Sequence, residues 1–185
     1  MEIDRIKLKD AIVSTIRKED LELYQLHNKG IFFLPELAIT YLVGKSIMVN
    51  SKKIFGYKVI DWVPETRVEK GLGRSDLILE LENGLKLIFE FKVRCDTKKY
   101  IADINKLLNV KSAKYLKFFC ALMDCYAGEE LINNKTVNII EKEFDGRISR
   151  VVEENKYFDY FTTKDHAIQY SKKQMSCVIG LWEIN

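Results

Sequence analysis

Residues 71–93 read GLGRSDLILELENGLKLIFEFKV, and this stretch decides the fold. Two runs that alternate between apolar and polar residues, 77–81 and 85–93, are joined by Glu82-Asn83-Gly84. Alternation with period two is typical of strands, and a short glycine-containing link between two such runs is typical of a β-hairpin. The sequence therefore predicts a hairpin at this point.

The length of the hairpin turn determines which side chains share a face. A two-residue Asn83-Gly84 turn would set apolar residues against charged ones along the whole ladder. A three-residue loop with a left-handed Gly84 instead pairs Leu81 with Leu85 and makes one face wholly apolar. We therefore expect the three-residue loop.

This register brings three charged side chains together. Asp76 lies directly opposite Glu90, and Lys92 follows one step along the same face. Opposed like charges destabilise a strand pair, and magnesium, or manganese in its place, would compensate because hard cations bind carboxylate oxygens. The backbone carbonyl of Phe91 is a further candidate ligand. Such a site suits phosphodiester hydrolysis, in which the metal polarises the phosphoryl oxygen and lowers the pKa of a bound water that Lys92 positions or activates.

A different interpretation makes the same residues a solvent-facing strand edge with solubilising charges and a weak surface ion pair. The opposed acids, the apolar opposite face and the sequence that follows favour the metal site. Asp96 or Thr97 can cap a helix with apolar positions at helical spacing, and residues 115–123 are almost continuously apolar, as in a buried parallel strand. Strand, helix and strand in this order predict a right-handed crossover.

Helices and strands are also predicted on either side of this unit. Residues 2–27 indicate one helix, or two broken near 18–20, and a second helix should begin at Pro35 and run to about Met48. This second helix is apolar on almost every side, which predicts burial and makes Glu36 in its first turn conspicuous. Residues 55–68 suggest one strand or a bent pair. Beyond Gly128 we expect a helix within 129–144, an aromatic cluster at 157–161 and a last strand at 177–184.

These elements predict the α/β class, with a central mixed β-sheet, an active-site hairpin and flanking helices. We expect a single domain over 1–185, made of a core at about 31–124, an N-terminal helical segment 1–30 and a C-terminal extension 125–185. A length of 185 residues is usual for one domain.

The stretch 71–123 resembles the PD-(D/E)XK nuclease superfamily, whose fold is that of restriction endonucleases. The match is to Asp76 and to Glu90-Phe91-Lys92, while Ser75 stands where the family's name has a proline. The resemblance implies a magnesium-dependent cut that usually leaves a 5′-phosphate, with Asp76 and Glu90 as ligands and Lys92 as the catalytic lysine. It also implies a catalytic or metal-binding role for an acidic residue on the helix before the sheet, which Glu36 matches in position.

Glu36 has an equally good explanation in the helix dipole, which favours an acid in the first turn. Six lysines on and after the predicted third helix are candidates to contact phosphates, although a solvated face explains most of them. They are Lys98, Lys99, Lys106, Lys111, Lys114 and Lys117.

The expected partner is double-stranded DNA, cut by a homodimer because two sites related by a two-fold axis reach both strands. Branched or single-stranded DNA and RNA remain alternative substrates, and a non-cleaving nucleic-acid-binding or interaction module is an alternative of another class. The net charge of +3 is compatible with these partners without selecting one.

The remaining composition argues for a cytoplasmic protein. Four cysteines lie in or beside apolar segments without the paired spacing of a zinc site, so we expect free thiols that are mostly buried. The sequence shows neither the apolar core of a signal peptide nor the roughly 18 consecutive apolar residues of a membrane span, so no membrane partner is expected.

Overall fold

The computed structural model describes residues 3–69, 73–126, 134–152, 159–162 and 175–185. It contains four α-helices, α1 (Arg5–His27), α2 (Glu36–Phe55), α3 (Thr97–Leu108) and α4 (Lys135–Glu143), with a 3-10 turn at Ile31–Phe33. The strands within these ranges are β1 (Val59–Arg67), β2 (Arg74–Leu81), β3 (Lys86–Val93), β4 (Tyr115–Tyr126), β5 (Ile148–Arg150), β6 (Asp159–Thr162) and β7 (Met175–Ile184).

The strands form one mixed sheet in the order β1-β2-β3-β4-β7-β5, and β6 also pairs with β7. β3 and β4 are parallel, and α3 connects them, as the run of apolar residues at 115–123 predicts. The other pairings are antiparallel. The mixed α/β class and the central mixed sheet with flanking helices are thus confirmed.

The hairpin register is the predicted one. β2 and β3 pair Leu77 with Phe89 and Leu79 with Leu87, and the Leu81 N–H donates to the Leu85 carbonyl at 2.9 Å. Gly84 closes the loop at φ 81°, in the left-handed region. The apolar face of the hairpin then packs into the core that α1 and α2 cover.

The second face of the sheet is also buried. Ile78 and Ile88 join a second core with Tyr100, Ile104 and Leu107 of α3 and with residues of α4, β4 and β7. The hairpin is therefore enclosed between helices on both sides. Any charged side chain on the sheet face that α3 covers therefore lies next to buried apolar residues.

Helix α2 differs from its prediction in two ways. It continues beyond Met48 to Phe55, because no glycine or proline lies between Met48 and Gly56, which caps the helix at φ 74°. It is not buried on every side, since the side chains of Leu37 and Tyr41 are 54% and 55% exposed. Gly44 marks the buried side, where a Cβ atom would come within 3.0 Å of Leu77.

The segments outside 31–124 are integral to the same sheet and core. α1 is one continuous helix whose buried residues join the core beneath α2. β7, within the predicted C-terminal extension, pairs with β4 along ten residues of the sheet. The predicted last strand is therefore confirmed, and α4 lies inside the predicted 129–144 helix.

Some residues of other predictions lie outside the described ranges. These are the first residues of the 129–144 helix, Tyr157 and Phe158 of the aromatic cluster, and Gly71 at the start of the quoted stretch. In the described parts of the chain all four cysteines are free, and three of them are buried. No helix among the described residues has both the length and the apolar character needed to cross a membrane.

Candidate active site

The charged side chains meet where β2 and β3 separate. Ladder pairing between these two strands ends at Leu77 and Phe89. Beyond this point β2 stays paired with β1 as far as Arg74, while β3 stays paired with β4 as far as Val93. The two strands thus form a fork, and the predicted position of Asp76 opposite Glu90 falls on its opening.

Asp76 occupies the fork with its side chain. Its Oδ2 accepts a hydrogen bond from the Phe91 N–H at 2.7 Å, so a carboxylate replaces a backbone acceptor of the ladder. This substitution explains why the two backbones diverge just before Asp76 and Glu90 would pair. Burial raises the pKa of Asp76, while the Phe91 N–H opposes the shift. The N–H and C=O of a strand residue point to the same side, so the Phe91 carbonyl is also directed toward β2.

Glu90 is the most enclosed charged group of the site, with a side chain only 2% exposed. Its Oε2 accepts from Lys106 Nζ at 2.6 Å, whereas its Oε1 is buried and has no hydrogen-bond partner in the described parts of the chain. Burial, and next the neighbouring charge of Asp76, raise the pKa of Glu90 to about 8, against the effects of Lys106 and the Ser75 hydroxyl. The interpretation of a solvent-facing strand edge is therefore wrong for Glu90.

Lys92 lies at the end of β3 between two acids on different helices. Its Nζ is 3.0 Å from Glu36 Oε1 and 3.1 Å from Asp103 Oδ2. Burial by itself disfavours the ammonium, but hydrogen bonds from Lys92 to Glu36 and Asp103 outweigh it and raise the pKa of Lys92. Lys92 is therefore an ammonium group at neutral pH.

Glu36 reaches the site around the end of β3. Besides Lys92, it contacts the Val93 N–H through its Oε2 at 3.2 Å. Both carboxylate oxygens of Glu36 thus bind groups of β3, which its position in the first turn of α2 does not require. Contact with Lys92 places Glu36 in the same cluster as the predicted residues, and its negative charge contributes to the raised pKa of Asp76.

Helix α3 adds two residues whose place in the site the sequence did not reveal. Asp103 contacts Lys92, and Lys106 contacts both Glu90 and the Arg74 carbonyl, the latter at 2.8 Å. The two residues are three positions apart, so they lie on one side of the helix. They also lie next to the apolar residues of α3 that face the sheet. Their position beside this apolar stripe could have identified them from the sequence.

Two arginines line the outer end of the fork. Arg67 of β1 and Arg74 of β2 are cross-strand neighbours, and both are exposed. Like charges in this arrangement repel each other, and an anion between or beside them would relieve the repulsion. The strand ends beside the mouth of the fork thus carry two exposed arginines, while its interior carries two acids.

The donor set fits a hard divalent cation at Asp76 and Glu90. The negative charge of Asp76 helps to raise the pKa of Glu90, the pKa of Asp76 is itself raised by burial, and Glu90 Oε1 has no hydrogen-bond partner among the described residues. Within the described residues of the chain, three or more acidic, histidine or cysteine side chains nowhere converge as a metal-binding group. Any ion here would therefore depend on two carboxylates and on the backbone.

Comparisons with protein-family models, with curated proteins and with solved structures found no match for this chain.

Proposed function

We propose that this protein is a magnesium-dependent nuclease of the PD-(D/E)XK kind, with a restriction endonuclease-like core. The observation that carries the proposal is the fork, in which Glu90 presents a buried, unpartnered oxygen beside Asp76 and one step from Lys92. A buried carboxylate oxygen without a hydrogen-bond partner costs about 1–3 kcal/mol even where the other oxygen is paired, as here with Lys106, so a purely structural strand gains nothing from it. In a metal site, the ion would be the partner of this oxygen.

Each residue of the fork has a defined task in this proposal. Asp76, Glu90 and the Phe91 carbonyl hold the ion, and Mn²⁺ is a natural substitute for Mg²⁺. When bound, the ion supplies Lewis-acid polarisation of the phosphoryl oxygen and lowers the pKa of water. Glu36 and Asp103 keep Lys92 protonated and aimed at the site.

Lys92 then orients the attacking water and stabilises negative charge that develops on the phosphate. An ammonium group cannot take a proton, so its raised pKa favours this role over that of a base. The water oxygen forms a bond to phosphorus, and the bond from phosphorus to the 3′ oxygen breaks. One proton of the water ends on that oxygen, leaving a 3′-hydroxyl and a 5′-phosphate.

The proposed substrate is double-stranded DNA. The opposed Arg67 and Arg74 at the mouth, and the exposed Lys98 and Lys99 on α3, supply cations that a phosphate backbone can neutralise. A homodimer would place one such site on each strand. Single-stranded DNA, branched DNA and RNA share the phosphodiester and are therefore included in the test.

The test is incubation with plasmid, single-stranded DNA, a branched duplex and RNA in Mg²⁺ or Mn²⁺, with mapping of the product ends. We expect cleavage that leaves 5′-phosphates and stops with a chelator. Asp76→Asn and Glu90→Gln should each lower the rate at least about 100-fold, because each removes an anionic ligand. Lys92→Met should lower the rate to a similar degree while leaving magnesium affinity largely intact.

Glu80→Gln is the matched control. Glu80 lies on the same strand and face as Asp76 but forms an ion pair with Lys86, so its loss should leave cleavage unchanged. Wild-type cleavage rates in folded Asp76→Asn or Glu90→Gln would refute the site. Binding of nucleic acid without any cleavage would favour the non-cleaving module instead.

A further inference from the structure

Lys106 contributes a second ammonium group to the fork. Its Nζ contacts Glu90 Oε2 at 2.6 Å and the Arg74 carbonyl at 2.8 Å, and its side chain is only 20% exposed. Lys106 therefore does not belong to the solvated face of α3. It is the lysine that neutralises Glu90 in this structure.

The Lys106 ammonium places a positive charge next to Glu90, as a bound divalent cation would. Glu90 is almost completely buried, and Asp76 adds a second negative charge beside it. Two cations cannot both bind the same carboxylate oxygen closely without repelling each other. A metal ion that binds Oε2 of Glu90, or both of its carboxylate oxygens, must therefore compete with Lys106.

We propose that Lys106 is a second catalytic lysine, held by Glu90 in the metal-free protein and transferred to the scissile phosphate when a metal ion takes Glu90. This inference rests on the proposed nuclease function and adds a substrate contact to it. The ligand that Lys106 takes is a phosphodiester oxygen. There the ammonium would stabilise negative charge during hydrolysis, the role also proposed for Lys92.

The surroundings of Lys106 allow this transfer without a backbone movement. Tyr100, Ile104 and Leu107 fix α3 in the core, so the helix itself stays in place. The lysine side chain has a flexible four-carbon stem, and the Arg74 carbonyl remains as an acceptor after Glu90 is lost. Arg74 is exposed at the start of β2, two residues before Asp76, so the released ammonium stays beside the fork.

The test compares Lys106→Met with the wild-type chain in two measurements. Magnesium affinity is determined by calorimetry at a pH of about 9, which limits competition by protons for a carboxylate of raised pKa. Lys106→Met is expected to bind Mg²⁺ at least about fivefold more tightly, because no charge-assisted hydrogen bond has to be broken. The rate of DNA cleavage at saturating Mg²⁺ is expected to fall about 100-fold, because the phosphate contact is lost.

Tighter metal binding combined with slower cleavage is a signature that other roles of Lys106 do not produce. A lysine that only positions Glu90 would weaken metal binding when removed, and a solvated lysine would change neither quantity. Either result overturns the inference, as does tighter metal binding with unchanged cleavage. Lys106→Gln, which is also neutral, replaces Lys106→Met if thermal denaturation shows that the methionine variant is unfolded.

Lys52→Met is the matched control for removal of one lysine. Lys52 is exposed in the last turn of α2, about 24 Å along the helix from Glu36, so both measurements should stay at wild-type values. The inference and the proposed function fail in different ways. A wild-type chain that neither binds Mg²⁺ nor cleaves refutes both, whereas normal binding and cleavage in Lys106→Met refute only the role of Lys106.

Discussion

Glu90 of the proposed site has a carboxyl group whose ionisation opposes the stability of the fold. The carboxyl group is buried, and its pKa is raised to about 8. The unfolded chain has no such constraint, and there the group titrates near its ordinary value of 4.5. The difference makes the free energy of unfolding dependent on pH.

The direction of this dependence follows from proton binding. Below pH 4.5 the carboxyl is protonated in both states, so burial costs least there. Between pH 4.5 and about 8 the unfolded chain loses the proton while the folded chain retains it, and stability falls as the pH rises. Glu90→Gln should therefore be more stable than the wild type at a pH of about 8, by more than about 1 kcal/mol, and this advantage should shrink toward a pH of about 5.

Urea denaturation in a chelator, at pH values of about 5, 6.5 and 8, measures this advantage. Glu80→Gln serves as the control, because it makes the same substitution at a partly exposed carboxylate of the opposite strand, whose ion pair with Lys86 contributes little to stability. A gap between Glu90→Gln and the wild type that stayed constant over this range would contradict the raised pKa.

Sequence reasoning at the residue scale identified the members of the site that lie on strands. Strand alternation places Glu90 and Lys92 on one face without knowledge of any other element. Asp103 and Lys106 were harder to assign, because the helical pattern fixes the buried stripe but not how far flanking side chains reach. Their partners lie on β3, and only the docked helix brings them into contact.

The hairpin is the element that the sequence predicts best. Pairing of Leu81 with Leu85 and of Leu77 with Phe89 follows from matching apolar residues across the turn, and both are present in the structure. The fork was not predictable by the same reasoning. It arises because the Asp76 side chain takes the Phe91 N–H, which is a choice between side chain and backbone that hydrophobic pattern does not encode.

Gly84→Val tests the loop. Gly84 has φ 81°, and no atom lies within 4 Å of the position of an added Cβ, so any cost arises from backbone strain rather than from a clash. We expect a loss of more than about 1 kcal/mol in the free energy of unfolding, together with lower activity if the register slips. Gly84→Asn should cost less, because asparagine tolerates the left-handed region. Equal stability of Gly84→Val and the wild type would refute the argument.

At the scale of the whole molecule, β7 connects the two ends of the chain. It pairs with β4 in the sheet, and Glu183 near its end accepts hydrogen bonds from Arg5 of α1, at 2.7 Å from Nη2. The sequence predicted a strand here but not its neighbours. Pairing between strands about 60 residues apart depends on how the whole sheet assembles, and local alternation carries no information about it.

Gly180 is a position of β7 that has no room for a side chain. A Cβ atom there would clash with the Trp182 ring, at 2.3 Å from the nearest ring carbon. The ring cannot easily move, because it stacks on Phe119 and donates to Glu141. We expect Gly180→Ala to lower the free energy of unfolding by about 1–3 kcal/mol.

Thermal and urea denaturation measure this loss. Gly73→Ala makes the same change where the new Cβ meets only an ordinary contact at 3.6 Å, so its stability should stay near that of the wild type. If Gly180→Ala were as stable as Gly73→Ala, the Trp182 ring would not be packed tightly against Gly180.

The fork between β2 and β3 has a consequence for the choice among cations in the proposed site. Each arm is anchored to a different neighbour, β2 to β1 and β3 to β4, so backbone pairing sets the gap between the two acids. Mg²⁺ requires oxygens at about 2.0–2.1 Å, whereas Ca²⁺ takes them at about 2.3–2.6 Å. A gap held by two strand ladders widens less readily than one spanned by flexible loops. The pairing of the sheet would therefore help the proposed site to distinguish Mg²⁺ from the larger Ca²⁺.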